Sequence, residues 1–312
     1  MPPQPAVAVR APAKVNLQLS VGGRRADGYH DLVTVFQAVS LFDVLTATPT
    51  PGRGLNVTVE GEGFGRLPSG TDNLAGAAAT QLAKSAGIAP DVHLHLRKAI
   101  PVAGGMGGGS ADAAAALVAC DALWGLRTER SDLLEMAARL GADVPFALVG
   151  GTAVGMGTGA RLTPALARGT FHWVFALADS GLETPRVYDC YDQVAEGEFP
   201  PEPRVSDDIM SALRSGDARA LGPALDNDLQ RAALALRPSL QFVLSVGQEY
   251  GSLGQIVSGS GPTCAFLARD ADHALDLAVA LSASGVCRSV RRAEGPVAGA
   301  QIVEASQATG QE

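Results

Sequence analysis

Residues 101–112 read PVAGGMGGGSAD and connect a strand-like run to an alanine-rich helical run. Glycine lets a backbone take positive φ and lets its amides approach a ligand with no Cβ in the way. The first turn of the helix that follows adds unpaired N–H groups and the positive end of its dipole. Together these make a cradle for an anion, phosphate above all. Neither common nucleotide motif is present. A Walker A loop would end G-K-[ST], whereas this one ends Gly109-Ser110-Ala111. The dinucleotide frame that starts at Gly105 meets Ser110 where its last glycine should stand. A flexible connector would not pass from a strand into a well-formed helix start, so the segment reads as a phosphate loop of a third type.

Three other places carry side chains suited to chemistry. Along 13–21, Val15, Leu17, Leu19 and Val21 alternate with Asn16, Gln18 and Ser20, the period of a half-buried strand. Its polar face presents Lys14, Asn16 and Gln18 side by side. Asp143 stands two residues before Pro145, which taken alone suits the N-terminus of a helix. Tyr29 and His30 follow Asp27-Gly28, a tight turn, and taken alone are two partly buried rings. His93 and His95 share a strand face, but two histidines without a third ligand read as ordinary strand residues. His172 and His273 have no evident partner.

The elements that must position these groups follow from periodicity and turn residues. Strand patterns fall at 13–21, 33–39, 55–60 and 91–97, and helical patterns at 73–86, 111–124 and 130–140. Further strands are expected at 151–155, 173–178, 255–258, 263–267, 286–292 and 300–304, and helices at 207–215, 217–221, 238–252 and 271–284. The proline-rich stretch 196–206 reads as a surface loop and 306–312 as a frayed tail. Strands and helices mix without strict alternation, which argues for an α+β fold over a doubly wound parallel sheet.

The chain has 312 residues, a length that favours two domains. A boundary is expected between the strands at 151–155 and 173–178, giving domains 1–165 and 166–312. With 46% apolar and 18% charged residues the composition is that of a globular protein. No apolar run approaches the ~18 residues of a membrane span, and the N-terminus has no secretory pattern. A net charge of −8 argues against a nucleic-acid surface, yet leaves room for an anionic small molecule held by a few placed groups. Cys120, Cys190, Cys264 and Cys287 are far apart and form no C-x-x-C pair, as expected of reduced thiols in a cytoplasmic protein.

The glycine loop, with its leading proline and small helix residues, resembles the phosphate loop of the GHMP kinases, the galactose, homoserine, mevalonate and phosphomevalonate kinases. Ala11-Pro12-Ala13-Lys14-Val15-Asn16 resembles their N-terminal P-A-K-[IV]-N motif, and Gly259-Ser260-Gly261-Pro262 their C-terminal glycine turn. The three motifs occur in the family's order and span nearly the whole chain. Within the family, Arg25-Ala26-Asp27-Gly28-Tyr29-His30 and Gly141-Ala142-Asp143-Val144-Pro145-Phe146 are similar to a branch of the non-mevalonate isoprenoid route. That branch phosphorylates the C2 hydroxyl of an erythritol-derived alcohol bearing a cytidine diphosphate. A homoserine- or mevalonate-type kinase is the alternative, and a nucleotide-binding regulator without catalysis a further one, against which an intact Lys14 and Asp143 count.

The resemblance implies a two-domain fold with the site in the cleft between domains, and ATP with Mg²⁺. It makes Asp143 the base and Lys14 its partner. It assigns the nucleotide to Pro101, Gly104, Gly105, Met106, Gly107, Gly108, Gly109, Ser110 and Ala111, with the Ser110 hydroxyl as a magnesium ligand. Lys98, close before the loop, is read either as reaching the nucleotide or equally as a solvated strand end. The resemblance gives Asn16, Tyr29 and His30 to the acceptor, Tyr29 stacking on cytosine and His30 bonding its edge. A second stacking ring falls at Tyr188, a tyrosine where some members carry phenylalanine. Asp112 replaces the asparagine common at its position, and a carboxylate so near the phosphates is expected to point away from them.

Overall fold

The computed structural model describes residues 6–63, 65, 67–194 and 202–304. Its frame is a long antiparallel ribbon of β1 (Val7–Arg24) and β2 (His30–Pro49), with Val7 opposite Ala47 and Arg24 opposite His30. Register shifts at Pro12/Ala13, Asn16/Gln18 and Val21/Arg24 bend the ribbon as bulges do. The chain continues through β3 (Asn56–Gly61), α1 (Leu74–Ala86), β4 (Val92–Lys98), α2 (Gly108–Trp124), α3 (Arg130–Leu140), α4 (Val144–Val149), β5 (Thr152–Gly157) and β6 (Arg161–Pro164). Then follow β7 (Phe171–Leu177), α5 (Thr184–Val194), α6 (Asp207–Ser215), α7 (Ala218–Ala224), β8 (Asp226–Asn227), α8 (Gln230–Leu236) and α9 (Ser239–Glu249). The last elements are β9 (Gly254–Val257), β10 (Cys264–Ala268), α10 (Ala271–Ala283), β11 (Ser289–Gly295) and β12 (Gln301–Val303).

Two sheets result. The first runs β12-β1-β2-β4-β3, with β5 and β6 extending from β2 and β8 pairing with β1; the second runs β11-β7-β10-β9. Sheets and helices are mixed as the α+β reading requires. Sheet membership changes between β6 and β7, but β8 and β12 return to the first sheet. The two layers are also stitched by side chains: Trp173 Nε1 donates to Gln37 Oε1 at 2.9 Å, and the Glu294 amide to Ser40 Oγ at 2.8 Å.

Local chemistry explains the elements that carry the site. The side chain of Asn73 caps α1 by accepting from the Ala75 amide, and Gly87 ends it at φ +68°. In α2 the residues Ala111, Ala113, Ala114, Ala115 and Ala116 are buried, so small side chains let it lie close against β1, β2, α1 and α4. The helix opens at Gly108, three residues before the expected start, because the last glycines of the loop form its first turn. β1 also departs from expectation. It extends over 7–24 and is covered on both faces, since Gln18 donates to the Arg204 carbonyl at 2.7 Å and accepts from the Ser206 amide at 2.9 Å. Of the loop expected at 196–206, 196–201 lie outside the described residues, as does the tail 306–312. α5, α8 and the short β6 and β8 are elements the periodicity did not announce.

Candidate active site

A cleft of about 1120 Å³ opens between the first sheet and the C-terminal half. One wall is the glycine loop, which is fastened at three points. The Lys14 amide donates to the Met106 carbonyl at 3.0 Å, Ser258 Oγ to the Gly105 carbonyl at 3.1 Å, and the Thr263 amide to the Gly104 carbonyl at 3.3 Å. The loop is therefore pinned by the first strand on one side and by the turn between β9 and β10 on the other. Gly105 has φ +77°, and a Cβ there would lie 2.0 Å from the Ser258 carbonyl oxygen. Gly107, at φ +75°, is the N-cap of α2 and offers no side chain to its first turn. The amides of Gly108, Gly109 and Ser110 are thus free of intrahelical partners at a helix N-terminus that lines the cleft.

Beside the loop, Lys14 Nζ sits 3.6 Å from Asp143 Oδ2 and 2.5 Å from Asn16 Oδ1. Asn16 Nδ2 donates to Thr34 Oγ1 at 2.8 Å, and Thr34 Oγ1 to the Gln18 carbonyl at 2.7 Å, so a chain of bonds fixes the ammonium. The ammonium also lies 5.7 Å from the Phe36 ring centroid, close enough for a cation–π attraction. Asp143 occupies the N-cap position of α4 but makes no side-chain cap bond, and its side chain is 31% exposed. A carboxylate serving only as a cap would accept from an amide of the first turn. This one is left free to face the cleft.

The far end of the cleft is aromatic. Tyr29 stands on the tight turn, its amide donating to Asp27 Oδ1 at 3.0 Å, and the residue is 65% exposed. His30 is buried, with the Tyr188 ring stacked on it at 5.1 Å and Tyr191 edge-on at 6.0 Å. His30 Nε2 lies 2.8 Å from Asp192 Oδ1; a carboxylate accepts, so this nitrogen carries the proton and donates. Burial pushes the Tyr188 hydroxyl up, with the negative charge of Asp143 adding to it. Tyr188 and Asp192 are four residues apart and share one face of α5, which brings both to His30.

A family model described as GHMP kinases N terminal domain matches residues 73–151, and one described as GHMP kinases C terminal matches residues 209–287. A 4-diphosphocytidyl-2-C-methyl-D-erythritol kinase of Streptomyces avermitilis is 56% identical over 95% of this chain and 99% of its own length. The chain belongs to the GHMP kinase family. A relative of the same name in Thermobifida fusca is 57% identical, over 95% of this chain and 98% of its own. The crystal structure of a 4-(cytidine 5'-diphospho)-2C-methyl-D-erythritol kinase superposes with a TM-score of 0.75 at 36% identity, covering 92% of this chain and 98% of that one. A mevalonate kinase of L. major, in complex with R-mevalonate, reaches a TM-score of 0.73 at 15% identity over 93% of this chain and 96% of its own, a likeness of fold alone.

Most of the sequence-predicted residues of this GHMP kinase line the cleft: Lys14, Asn16, Tyr29, His30, Pro101, Gly104, Gly105, Gly107, Gly108, Gly109, Ser110, Asp143 and Tyr188. Three do not. Met106 and Ala111 turn fully buried side chains into the core, so Met106 serves the loop only through its carbonyl. Lys98 is the larger correction. Its ammonium lies 2.5 Å from Asp43 Oδ2 and 2.6 Å from Asp112 Oδ2, sealed away from the cleft. Burial opposes its charge, but the carboxylates of Asp112 and Asp43 outweigh that and raise its pKa. Asp112 does point away from the phosphate side, as expected, and Lys98 is the reason. Thr34, Phe36 and Asp192 are the site residues that sequence reasoning missed; the i, i+4 spacing of Tyr188 and Asp192 was the one available signal.

Among the described residues no three His, Cys, Asp or Glu side chains cluster to hold a metal. The Ser110 hydroxyl in the cleft is an oxygen donor of the kind magnesium takes. Mg²⁺ commonly binds through few protein ligands, completing its shell with water and substrate phosphates, so a sparse donor set beside a phosphate loop fits it. His93 and His95 sit on the sheet surface, both bonded to Thr58 Oγ1, and hold nothing else in common.

Proposed function

We propose that this kinase transfers the γ-phosphoryl of ATP to the C2 hydroxyl of 4-diphosphocytidyl-2-C-methyl-D-erythritol, in the non-mevalonate route to isoprenoid precursors. The observation that carries the mechanism is the uncapped Asp143 carboxylate, 3.6 Å from Lys14 Nζ at the mouth of the glycine loop. The amides of Gly107 to Ser110 and the α2 dipole receive the β- and γ-phosphate oxygens. The acceptor oxygen attacks the γ-phosphorus in line as the bond to the β–γ bridging oxygen breaks, ADP leaves, and the hydroxyl proton passes to Asp143. A loose transition state needs that proton only late, which suits a carboxylate, a weak base. Lys14 holds the carboxylate and the entering oxygen in register. Mg²⁺, held by Ser110 together with phosphate oxygens, would neutralise charge on the triphosphate.

At the other end, cytosine lies between the exposed Tyr29 ring and Tyr188, with His30 at its edge. Domains 1–165 and 166–312 contribute one side of this sandwich each. The ring pair supports a cytidyl acceptor over homoserine or mevalonate, and the Lys14–Asp143 pair supports catalysis over a purely regulatory role. The partners are accordingly ATP and one small molecule. The four cysteines are free thiols, which supports a reducing, cytoplasmic setting. ATP consumption that requires the cytidyl diphosphate is the test; turnover of mevalonate or homoserine in its place overturns the reading.

Two substitutions probe the acceptor end. Stacking on one aromatic ring is worth ~1–3 kcal/mol, so Tyr29→Ala should raise the KM for the cytidyl substrate roughly 5- to 150-fold with the ATP KM unchanged. Asp192→Ala frees the His30 ring, and loss of one partly exposed hydrogen bond should raise the same KM roughly 3- to 10-fold. Steady-state kinetics with each substrate varied in turn distinguish these from a defect on the ATP side.

A further inference from the structure

Outside the cleft, three ionisable side chains are locked together in the interior beneath the phosphate loop, where burial and the Asp43 carboxylate beside it push the Asp112 carboxyl up to about 8. Lys98 ends β4, Asp43 lies in β2 and Asp112 in the second turn of α2, and their side chains are 2%, 1% and 4% exposed. Asp43 does more than pair with Lys98. Its Oδ1 accepts from the backbone amides of Ala99 at 2.6 Å and Ile100 at 2.9 Å, the two residues that lead into the loop. Lys98 then reaches 14 residues along the chain to Asp112, on the helix into which the loop runs. One buried cluster therefore grips both the entry and the exit of the segment 99–112.

Stability alone does not account for such an arrangement. Buried ion pairs seldom outperform well-packed apolar side chains of similar volume, because desolvation offsets the attraction. What polar groups add is direction: an ammonium donating to two carboxyl groups fixes separations that methyl groups leave free. Binding through backbone amides depends on such fixed separations, since the donors must already stand where the phosphate oxygens will be.

We propose that Asp43, Lys98 and Asp112 form a clasp that sets the geometry of the phosphate loop, with Lys98 and Asp112 acting as positioning residues for nucleotide binding. The clasp rests on the reading of the loop as the nucleotide site.

The test separates position from stability. Asp112→Asn keeps an oxygen for the Lys98 ammonium and should leave ATP affinity, measured by calorimetry, close to wild type. Asp112→Leu breaks the clasp at α2 and should weaken ATP binding roughly tenfold or more, although Lys98 itself is intact. In the triple variant Asp43→Asn, Lys98→Met, Asp112→Leu no buried charge is left unpaired, and the asparagine oxygen still accepts from the Ala99 and Ile100 amides; its unfolding midpoint should recover toward wild type while ATP affinity stays low. Affinity that recovers together with the midpoint, or an Asp112→Leu protein that binds ATP normally, overturns the clasp. Should the leucine variants fail to fold, hydrogen exchange decides with Asp112→Ala against Asp112→Asn. Faster exchange over 99–112 in the alanine variant alone supports the clasp, and equal exchange in both overturns it. Wild-type protein that binds no ATP would instead defeat the reading of the loop, so the two failures are distinct.

Discussion

Asp143→Asn is expected to lower kcat by ~10²–10⁴-fold, the usual contribution of a positioned proton acceptor, while the affinity for ATP stays nearly intact. The asparagine has the same shape but cannot take the hydroxyl proton. On the proposed reading the triphosphate is held by loop amides, which the substitution does not touch. A competing account would make Asp143 a helix cap, and it has a distinct signature: an unchanged kcat with a lowered unfolding midpoint. The absence of any cap bond from this side chain leaves little stability to lose, so the midpoint should move by no more than a few degrees. Steady-state kinetics with ATP and acceptor varied separately, beside a thermal melt, read all three quantities. Unchanged turnover would remove Asp143 from the mechanism.

The parts of this site that were legible in the sequence are those whose chemistry demands a particular residue at a fixed spacing. A backbone anion cradle needs glycine, so residues 104–109 announce themselves. Lys14 and Asn16 fall on one strand face because strand side chains alternate, and the structure joins them at 2.5 Å. What was hidden depended on distant partners or on weak local patterns. Lys98, a cation six residues before the first glycine of the loop, invites a phosphate role, and nothing nearby reveals that Asp43, 55 residues upstream, holds it instead. In α5 the spacing of Tyr188 and Asp192 puts them on one face, but nothing local in the sequence pairs Asp192 with His30, 162 residues away. The start of α2 was misplaced for a different reason. Glycine is a poor helix former, and the first turn of this helix is held by its surroundings rather than by its own propensity. The return of β8 and β12 to the first sheet rests on pairings two and three residues long beside β1, too short for periodicity to register.

Gly105→Ala should cut kcat/KM for ATP about 100-fold, chiefly through KM, because the new methyl group has nowhere to go. Its carbon would stand 2.0 Å from the carbonyl oxygen of Ser258, a contact with a backbone atom that no side-chain rotation relieves. Either the loop or the turn between β9 and β10 must move. The Ser258 hydroxyl that donates to the Gly105 carbonyl, and the Thr263 amide that donates to that of Gly104, are then lost or stretched. A displacement of ~1 Å among positioning groups is enough for a loss of this size. Part of any effect will come from the φ of +77°, which alanine adopts at a cost of ~1–2 kcal/mol. Gly52→Ala isolates that part, since Gly52 has φ +70° with nothing within 4 Å of the added carbon. The control should lower the unfolding midpoint slightly and leave ATP kinetics untouched. Equal ATP kinetics in the two variants would mean that the loop does not need its place against Ser258, and that the amides it carries are not what holds the nucleotide.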